Sequence, residues 1–355
     1  MSGRARVLAA CACLLLVAAG EAAAQRPARA PATSVVSGRV LFAASGEPVA
    51  FSVVALTRAG TVDTTLTALT DANGAFRFDA VPAGEYRPRL ERVGYEVEQQ
   101  PPVHVGGTRL APLLIHSEPR ALPPIAAFPG DSFCRDIGQL EHAPAVARLW
   151  QQLRTAAQAR LLFDRAYSYT VKTRGFDWQA TAASRLRMPE QTADVLHTPQ
   201  NAFELELQVS SPYAVWGTIG PRGFRLVVPD LPQLLSPGFQ QTHCIMAVGD
   251  SASGVGLRFL PNDQVPLYVQ VRVTVTVMLD PSYAVQRMNL EFWADGRPFV
   301  AGGQSYADVG FPGGQLRFVR RLDLEEIPRL SGTAHWEGRT HYDNYRMVAD
   351  TARTP

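Results

Sequence analysis

The sequence predicts a mainly β protein of two modules, an N-terminal β-sandwich and a C-terminal α+β domain with a long-stranded antiparallel sheet packed on one helix. Short alternating apolar segments, separated by turn residues, fill the first third of the chain. One amphipathic helical segment follows them. The segments after it are longer and alternate between apolar and polar residues, which is typical of antiparallel strands with one face in solvent.

The first module is predicted over residues 36–115, with strands at Val36–Val40, Val49–Leu56, Thr64–Thr70, Ala75–Phe78 and Tyr86–Leu90. Asp71-Ala72-Asn73-Gly74 is predicted to be a turn, because Asn and Gly tolerate positive φ and Asp can accept backbone hydrogen bonds. Its oxygens are too few for calcium, which takes six or more. Pro88 cannot donate a ladder hydrogen bond, so its strand is expected at a sheet edge.

Five segments in this order, SGRV, GEPVAFSVV, TDANGAFRF, VPAGEY and VGY, make residues 36–115 resemble the carboxypeptidase regulatory-like family. The resemblance implies a transthyretin-like sandwich of about seven strands. It also implies a domain without catalytic residues that acts as a spacer, a docking surface or a weak binder. Related sandwiches bind carbohydrate. The proline in the edge strand is the main departure from the family pattern.

The second module is predicted over residues 134–355, after a Pro-rich linker at 116–133. A helix is expected over 144–166, because Pro144 suits a first turn and apolar residues follow at helical spacing. The residues expected to face the core are Val146, Leu149, Trp150, Leu153, Ala157 and Leu161. Those expected mostly outside are Arg148, Gln151, Arg154 and Arg160.

The clearest strand of this module is Leu267–Leu279, where apolar residues at odd positions alternate with Gln270, Arg272, Thr274 and Thr276. Met288, Leu290 and Phe292 are predicted to return antiparallel to it. The Cys134 region, the helix, His243-Cys244 and Gly313–Phe318 resemble the C-terminal part of exported bacterial proteins of unknown function. A helix against an antiparallel sheet is also the architecture of periplasmic lipoprotein carriers, an analogy that indicates little about function.

Residues 1–24 have the three parts of a secretory signal peptide, and residues 25–35 are a Pro/Ala/Arg-rich linker. Arg4 and Arg6 form the charged start, an apolar stretch follows, and small residues precede a cleavage site at Gln25. An alternative is lipidation at Cys11, which has the letters of a lipoprotein box. The mature chain has no segment long and apolar enough to be a transmembrane helix. The expected location is the periplasm or the outer surface.

Removal of the signal peptide leaves Cys134 and Cys244, for which an oxidising compartment favours a disulfide. The alternative is that Cys244 is a nucleophile activated by His243. Neighbouring side chains on a strand point to opposite faces, which places His243 poorly for this role.

Catalytic motifs are not found in the sequence. The histidines do not form a zinc-peptidase pattern, and neither Gly130-Asp131-Ser132 nor Gly249-Asp250-Ser251 joins a strand to a helix as a nucleophile turn must. No cofactor or metal site is therefore expected. The formal net charge of +2 and the lack of a basic patch give no reason to expect nucleic-acid binding.

The sequence therefore favours an exported, non-enzymatic binding or docking protein of the bacterial cell envelope, with an envelope protein, a glycan or a lipid as its partner. A carbohydrate-binding protein is one alternative, for which Trp293, Trp336 and Tyr342 are candidate stacking residues. A carrier of a hydrophobic ligand would need a cavity between the helix and the Leu267–Leu279 strand. A hydrolase would need a cleft that gathers Asp, His and Ser from distant segments.

Overall fold

A computed structural model describes residues 33–60, 65–106, 113–123, 133–180, 185–200, 217–220, 223–250, 254–263, 265, 271–312, 314–327 and 335–348. The predicted signal peptide, including Cys11, lies outside these residues, as do Leu267, Val269 and Gln270 of the predicted strand. Within the described ranges, no helix combines the length and the apolar composition needed to cross a membrane.

The first module is a two-layered sandwich, as the sequence predicts. Its strands are β1 (Thr33–Phe42), β2 (Val53–Arg58), β3 (Thr65–Leu69), β4 (Ala75–Pro82), β5 (Gly84–Glu91), β6 (Glu98–Gln99), β7 (Val103–Val105) and β8 (Leu113–Ser117). One sheet has the order β4-β1-β8, and the other has the order β3-β2-β5-β6 with β7 also paired to β5. Alternating residues of both sheets, including Val40, Phe76, Phe78 and Tyr86, form a buried core between them. β1 begins at Thr33, inside the segment expected to be a linker.

The Asp71–Gly74 segment is the turn that its residue types predict. Asp71 Oδ1 accepts hydrogen bonds from the backbone amides of Asn73 at 2.8 Å and Ala75 at 2.9 Å. Gly74 has a φ of 72°, which L-residues rarely adopt. The Asp71 carboxylate is thus occupied by backbone donors.

Pro88 does not mark a sheet edge, so this expectation was wrong. β5 lies between β2 on one side and the short strands β6 and β7 on the other. The Pro88 carbonyl accepts from the Gln100 amide at 2.9 Å, so the proline nitrogen faces the same side. That side is the gap between β6 and β7, where a proline costs no ladder hydrogen bond.

The second module contains one large antiparallel sheet. Its strands are β9 (Arg135–Asp136), β10 (Tyr169–Ala180), β11 (Arg185–Arg187), β12 (Gln191–His197), β15 (His243–Asp250), β16 (Gly254–Pro261), β17 (Arg272–Leu279), β18 (Val285–Ala294), β19 (Arg297–Phe311), β20 (Gly314–Glu326) and β21 (His335–Met347). These eleven strands have the order β11-β10-β21-β20-β19-β18-β17-β16-β15-β9, with β12 also paired to β10. A separate hairpin joins β13 (Gly217–Gly220) and β14 (Gly223–Leu226), and the helices are α1 (Pro144–Ala166), a 3-10 helix (Leu231–Leu235) and α2 (Pro237–Thr242).

Helix α1 has the bounds expected from the sequence and packs its apolar side on the large sheet. Leu149, Leu153 and Trp150 belong to one buried cluster with the valines of β17, and the Trp150 and Phe259 rings lie 5.7 Å apart. The mainly β fold class is therefore confirmed. Between helix α1 and the described part of the predicted strand, where a carrier would need a cavity, these side chains form a packed core.

Arg160 was expected mostly outside, but it is only 7% exposed, because it packs on Tyr169 and Phe318 of the large sheet. Other polar residues of the helix are buried for a different reason. Helix α1 lies between the two modules, so its polar side is covered by the first module. Gln158 donates to Thr67 Oγ1 at 3.2 Å, and Gln152 Oε1 accepts from the Gly94 amide at 2.7 Å. A helix covered on both sides buries polar residues that an amphipathic pattern assigns to solvent.

A disulfide joins Cys134 to Cys244. Cys244 lies on β15, where it pairs with Asp136 of β9, so the bond ties the start of the second module to its large sheet. His243 points to the opposite face, where its ring contacts the carbonyls of Phe239 and Val273 at 3.0 Å each. The disulfide accounts for Cys244, and the nucleophile alternative loses its thiol.

Candidate functional site

The face of the large sheet that points away from α1 carries the candidate site. On β18 the residues Met288, Leu290 and Phe292 point to the core, and Arg287, Asn289, Glu291 and Trp293 alternate with them on the other face. We call this second face the outer face. Its side chains come from strands that are neighbours in the sheet, although β10 is more than 100 residues before β18 in the chain.

A trough follows β19 across this face, with a volume of about 750 Å³. Its floor is made by Ala301 and Gly303, which have almost no side chain to rise above the sheet. Asn289 and Glu291 of β18 face this floor on one side, paired in register with Gly303 and Ala301. The trough exists because a strand with small outer residues lies between strands with long ones.

The opposite wall comes from β20, where Asp323 and Glu325 pair with Gly303 and Ala301. Asp323 accepts hydrogen bonds from Arg321 at 2.5 Å and from Arg339 of β21 at 2.6 Å. Partial burial acts to raise the pKa of Asp323, but the two arginines outweigh it and hold the pKa below its usual range. Asp323 is therefore ionised, and together with Glu325 it forms a row of planar side chains along this wall.

Aromatic residues of β10 bound the far side of this wall. Trp178 lines the trough, and the Arg339 guanidinium lies 5.4 Å from the centre of its ring. The Phe176 ring lies beside Trp178, with 6.2 Å between ring centres and 23° between planes. The trough thus combines ring faces with planar polar groups.

Two further observations concern the floor. Asn289 Oδ1 is buried and has no hydrogen-bond partner within the described residues. A Cβ added at Gly303 would lie 3.1 Å from this oxygen and 3.0 Å from the Met288 carbonyl. Gly303 is itself buried, and a side chain at this position would crowd the unsatisfied oxygen.

One group of metal-ligating side chains lies at the end of the trough. Glu325 and Glu337 line it, and His335 stands beside them with Nε2 3.6 Å and 3.5 Å from their carboxylate oxygens. Sequence motifs could not reveal this group, because Glu325 belongs to β20 and the other two residues to β21.

The three candidate stacking residues of the sequence do not form a row. Trp293 lies on the outer face of β18, beyond Glu291. Trp336 and Tyr342 pack against the inner core cluster, and burial raises the pKa of Tyr342. Trp178, which lines the trough, carries no signal of its own in the sequence, since only the pairing of β10 with β21 brings it there.

A buried polar network lies on the other side of the sheet, between α1, β10 and β19. Arg160 bonds Asp164 at 2.9 Å and the Tyr169 hydroxyl at 2.9 Å, and its guanidinium lies 3.7 Å from the centre of the Phe318 ring. Tyr306 donates to Asp230 at 2.7 Å. The charged groups of this buried network largely neutralise one another, which explains how an arginine can be buried there.

This network gathers Asp and His from distant segments, as the hydrolase alternative requires, but its hydroxyls are phenols. Burial raises the pKa values of Tyr169 and Tyr306, so both stay protonated and act as hydrogen-bond donors. His197 stacks on Tyr169 with 4.6 Å between rings, and burial lowers its pKa. The arrangement connects elements and does not activate a nucleophile.

Residues 35–113 match the model of the carboxypeptidase regulatory-like domain, which confirms the resemblance seen in the sequence. This domain is a non-catalytic kind of fold. Among curated proteins, none matches the chain.

Two solved structures are similar over most of the chain. The crystal structure of BcpA, the major pilin subunit of Bacillus cereus, has 9% identity and a TM-score of 0.22 and covers 91% of this chain and 97% of that chain. A variant of the same subunit has 10% identity and a TM-score of 0.22 and covers 91% and 98%. At this sequence identity and TM-score, the similarity supports no inference about function.

Proposed function

We propose that the protein is an exported, non-enzymatic binding protein of the cell envelope that holds a neutral glycan in the trough along β19. The observation that carries this proposal is the small-residue floor of Ala301 and Gly303 between two walls of planar polar side chains, with Trp178 at one side. The regulatory-like sandwich would then be the module that presents the second domain.

The charges of the trough favour a neutral ligand. Arg287, Arg321 and Arg339 stand against Asp323, Glu291, Glu325 and Glu337, so positive and negative groups are nearly balanced. A polyanion such as a nucleic acid would need an excess of cations. Paired donors and acceptors on neighbouring residues suit a ligand with many hydroxyl groups, each of which both donates and accepts.

The width of the trough favours an extended ligand. The side chains of β18 and β20 that flank the floor stand on strands two positions apart, which corresponds to about 10 Å between strand axes. A helix with its side chains has a diameter of about 10–12 Å and would not enter between side-chain walls. An extended peptide gains its affinity by pairing with a sheet edge, and the trough lies on a sheet face.

The specific contacts would be hydrogen bonds from the ionised wall and stacking on the aromatic side. Asp323 accepts a hydrogen bond from Arg339 at 2.6 Å, so acceptor and donor groups stand together on this side of the trough. Trp178, which lines the trough, would cover one apolar face of a sugar ring. Hydrogen bonds to charged groups contribute about 1.5–3 kcal/mol each.

A glycan array probed with the purified mature protein tests the proposal, followed by titration calorimetry with the glycans retained. We expect neutral glycans to bind. Arg339→Ala and Trp178→Ala should each weaken glycan binding about tenfold to a hundredfold, which is the change in affinity that corresponds to the loss of one such contact. The matched control is Arg174→Ala, which removes another outer-face arginine from a cross-strand ion pair with Asp343 at 2.7 Å. Retention of no glycan, or equal affinity in all variants, would contradict the proposal.

A further inference from the structure

Two glutamates face each other directly across the β20–β21 ladder. Glu325 pairs in register with Glu337, and both point to the outer face. Like charges opposite each other in an antiparallel pair are destabilising. Arg321 and Arg339 both bond to Asp323 in the next row. A cation between the two carboxylates would remove the repulsion.

A histidine completes the group. His335 lies two residues before Glu337 on β21, so both side chains point to the same face. Its Nε2 atom is 3.6 Å from Glu325 Oε1 and 3.5 Å from Glu337 Oε1. These distances are too long for good hydrogen bonds. The buried Nδ1 atom also has no hydrogen-bond partner within the described residues.

The spacing fits a metal ion. Ligand atoms of the three side chains all lie within 4.8 Å of one another. A tetrahedral zinc ion with bonds of about 2.0–2.2 Å has edges of about 3.3–3.6 Å between ligand atoms, which is the spacing from His335 Nε2 to the two carboxylates. One nitrogen and two carboxylate oxygens are the donor types of zinc. Calcium takes six to eight oxygens and is disfavoured.

We propose that Glu325, His335 and Glu337 form a binding site for a divalent transition-metal ion of the zinc class. The group lies at the end of the trough, and the exposure of its members falls from 63% for the Glu325 side chain to 20% for Glu337 and 15% for His335. Three protein ligands leave a fourth position open toward solvent, and Glu325 stands on the entry side. The three side chains would bind the metal ion by themselves, so this proposal does not depend on the binding of a glycan.

The test uses the mature protein without a histidine tag, freed of metal by a chelator and titrated with Zn²⁺ at pH 7.5 by calorimetry, together with melting curves. We expect one Zn²⁺ per chain and a melting temperature that rises with Zn²⁺, since an ion that binds only the folded state stabilises it. Calcium at millimolar concentration should not displace the zinc. Absence of saturable binding, or displacement by calcium, would overturn the proposal.

The variants Glu325→Gln and His335→Gln locate the site. Glu325 is mostly exposed, so its isosteric change should leave the fold intact and lower Zn²⁺ affinity at least tenfold. The matched control is Glu291→Gln, which removes a carboxylate from the opposite wall of the same trough and should bind Zn²⁺ as the unaltered protein does. If Glu325→Gln and His335→Gln bind Zn²⁺ as tightly as the unaltered protein, or if Glu291→Gln loses as much affinity as they do, the ion binds elsewhere.

Discussion

The two faces of the large sheet are built from the same strands and differ in what determines them. On the inner face, Val273, Val275 and Val277 of β17 are 0% exposed and pack against helix α1. On the outer face, the alternate residues stay partly exposed and leave a trough where β19 has small side chains. Hydrophobic burial specifies the first face, whereas the sizes and charges of side chains on neighbouring strands specify the second.

This comparison predicts very different effects for neighbouring residues of β18. Phe292→Ala on the inner face should lower the free energy of unfolding by about 3–5 kcal/mol, because a fully buried ring leaves a cavity. Glu291→Ala on the outer face should change it by less than about 1 kcal/mol, since its ion pair with Arg258 is exposed. Urea denaturation of both variants measures the difference. Similar losses would mean that the outer face also carries packing energy.

Loss of the disulfide should have the next largest effect. Cys134→Ser opens a loop closed by residues 110 apart in sequence, for which about 2–4 kcal/mol of stability is typical. The bond joins β9 and β15 at the end of the sheet farthest from the trough, so Zn²⁺ and glycan affinities should not change. Denaturation with and without reductant measures the stability. Equal stability of the reduced and oxidised chains would contradict the prediction.

Acid should weaken the inner face through His243. Burial lowers the pKa of this histidine, so below its ordinary value of 6.5 the unfolded chain binds more protons than the folded chain. The free energy of unfolding should therefore fall as the pH drops from about 7.5 to 5.5. His243→Gln should show a smaller fall over the same window, measured by urea denaturation at each pH. An identical slope in the variant would exclude His243 as a cause.

The smallest stability effect is expected in the wall of the trough. Asp323→Asn weakens its two hydrogen-bonded ion pairs, but the carboxylate side chain is 39% exposed, so the expected cost is below about 1 kcal/mol. The same change should reduce glycan affinity, because the wall loses an ionised acceptor. Thermal unfolding and calorimetry on one preparation separate the two results. A large loss of stability would show that this ion pair is structural.

The sequence predicts those features that depend on local patterns. The alternation of valines identified the inner face of β17, the Asp71–Gly74 residue types identified a turn, and helical spacing identified α1. Pro88 and Arg160 were misjudged because their surroundings come from elsewhere in the chain. Pro88 faces a gap between two short strands, and Arg160 is covered by Asp230 and by Phe318 of β20, which lie far from it in sequence.

The trough lay beyond what local patterns can show. Trp178, Glu325 and Glu337 meet only because β10 pairs with β21 and β21 with β20. Ala301 and Gly303 do stand out as small outer residues in a long strand, a signal that becomes meaningful once their strand neighbours are known. Strand order in a large antiparallel sheet is set by long-range pairing, which composition and periodicity do not encode.

The most direct test of the account measures glycan affinity by calorimetry for the unaltered protein and for Ala301→Trp. The tryptophan would fill the floor of the trough on the outer face without touching the inner core. The account predicts that affinity falls at least tenfold while the urea midpoint stays nearly unchanged. Unchanged affinity in the folded variant would show that the trough is not the binding site.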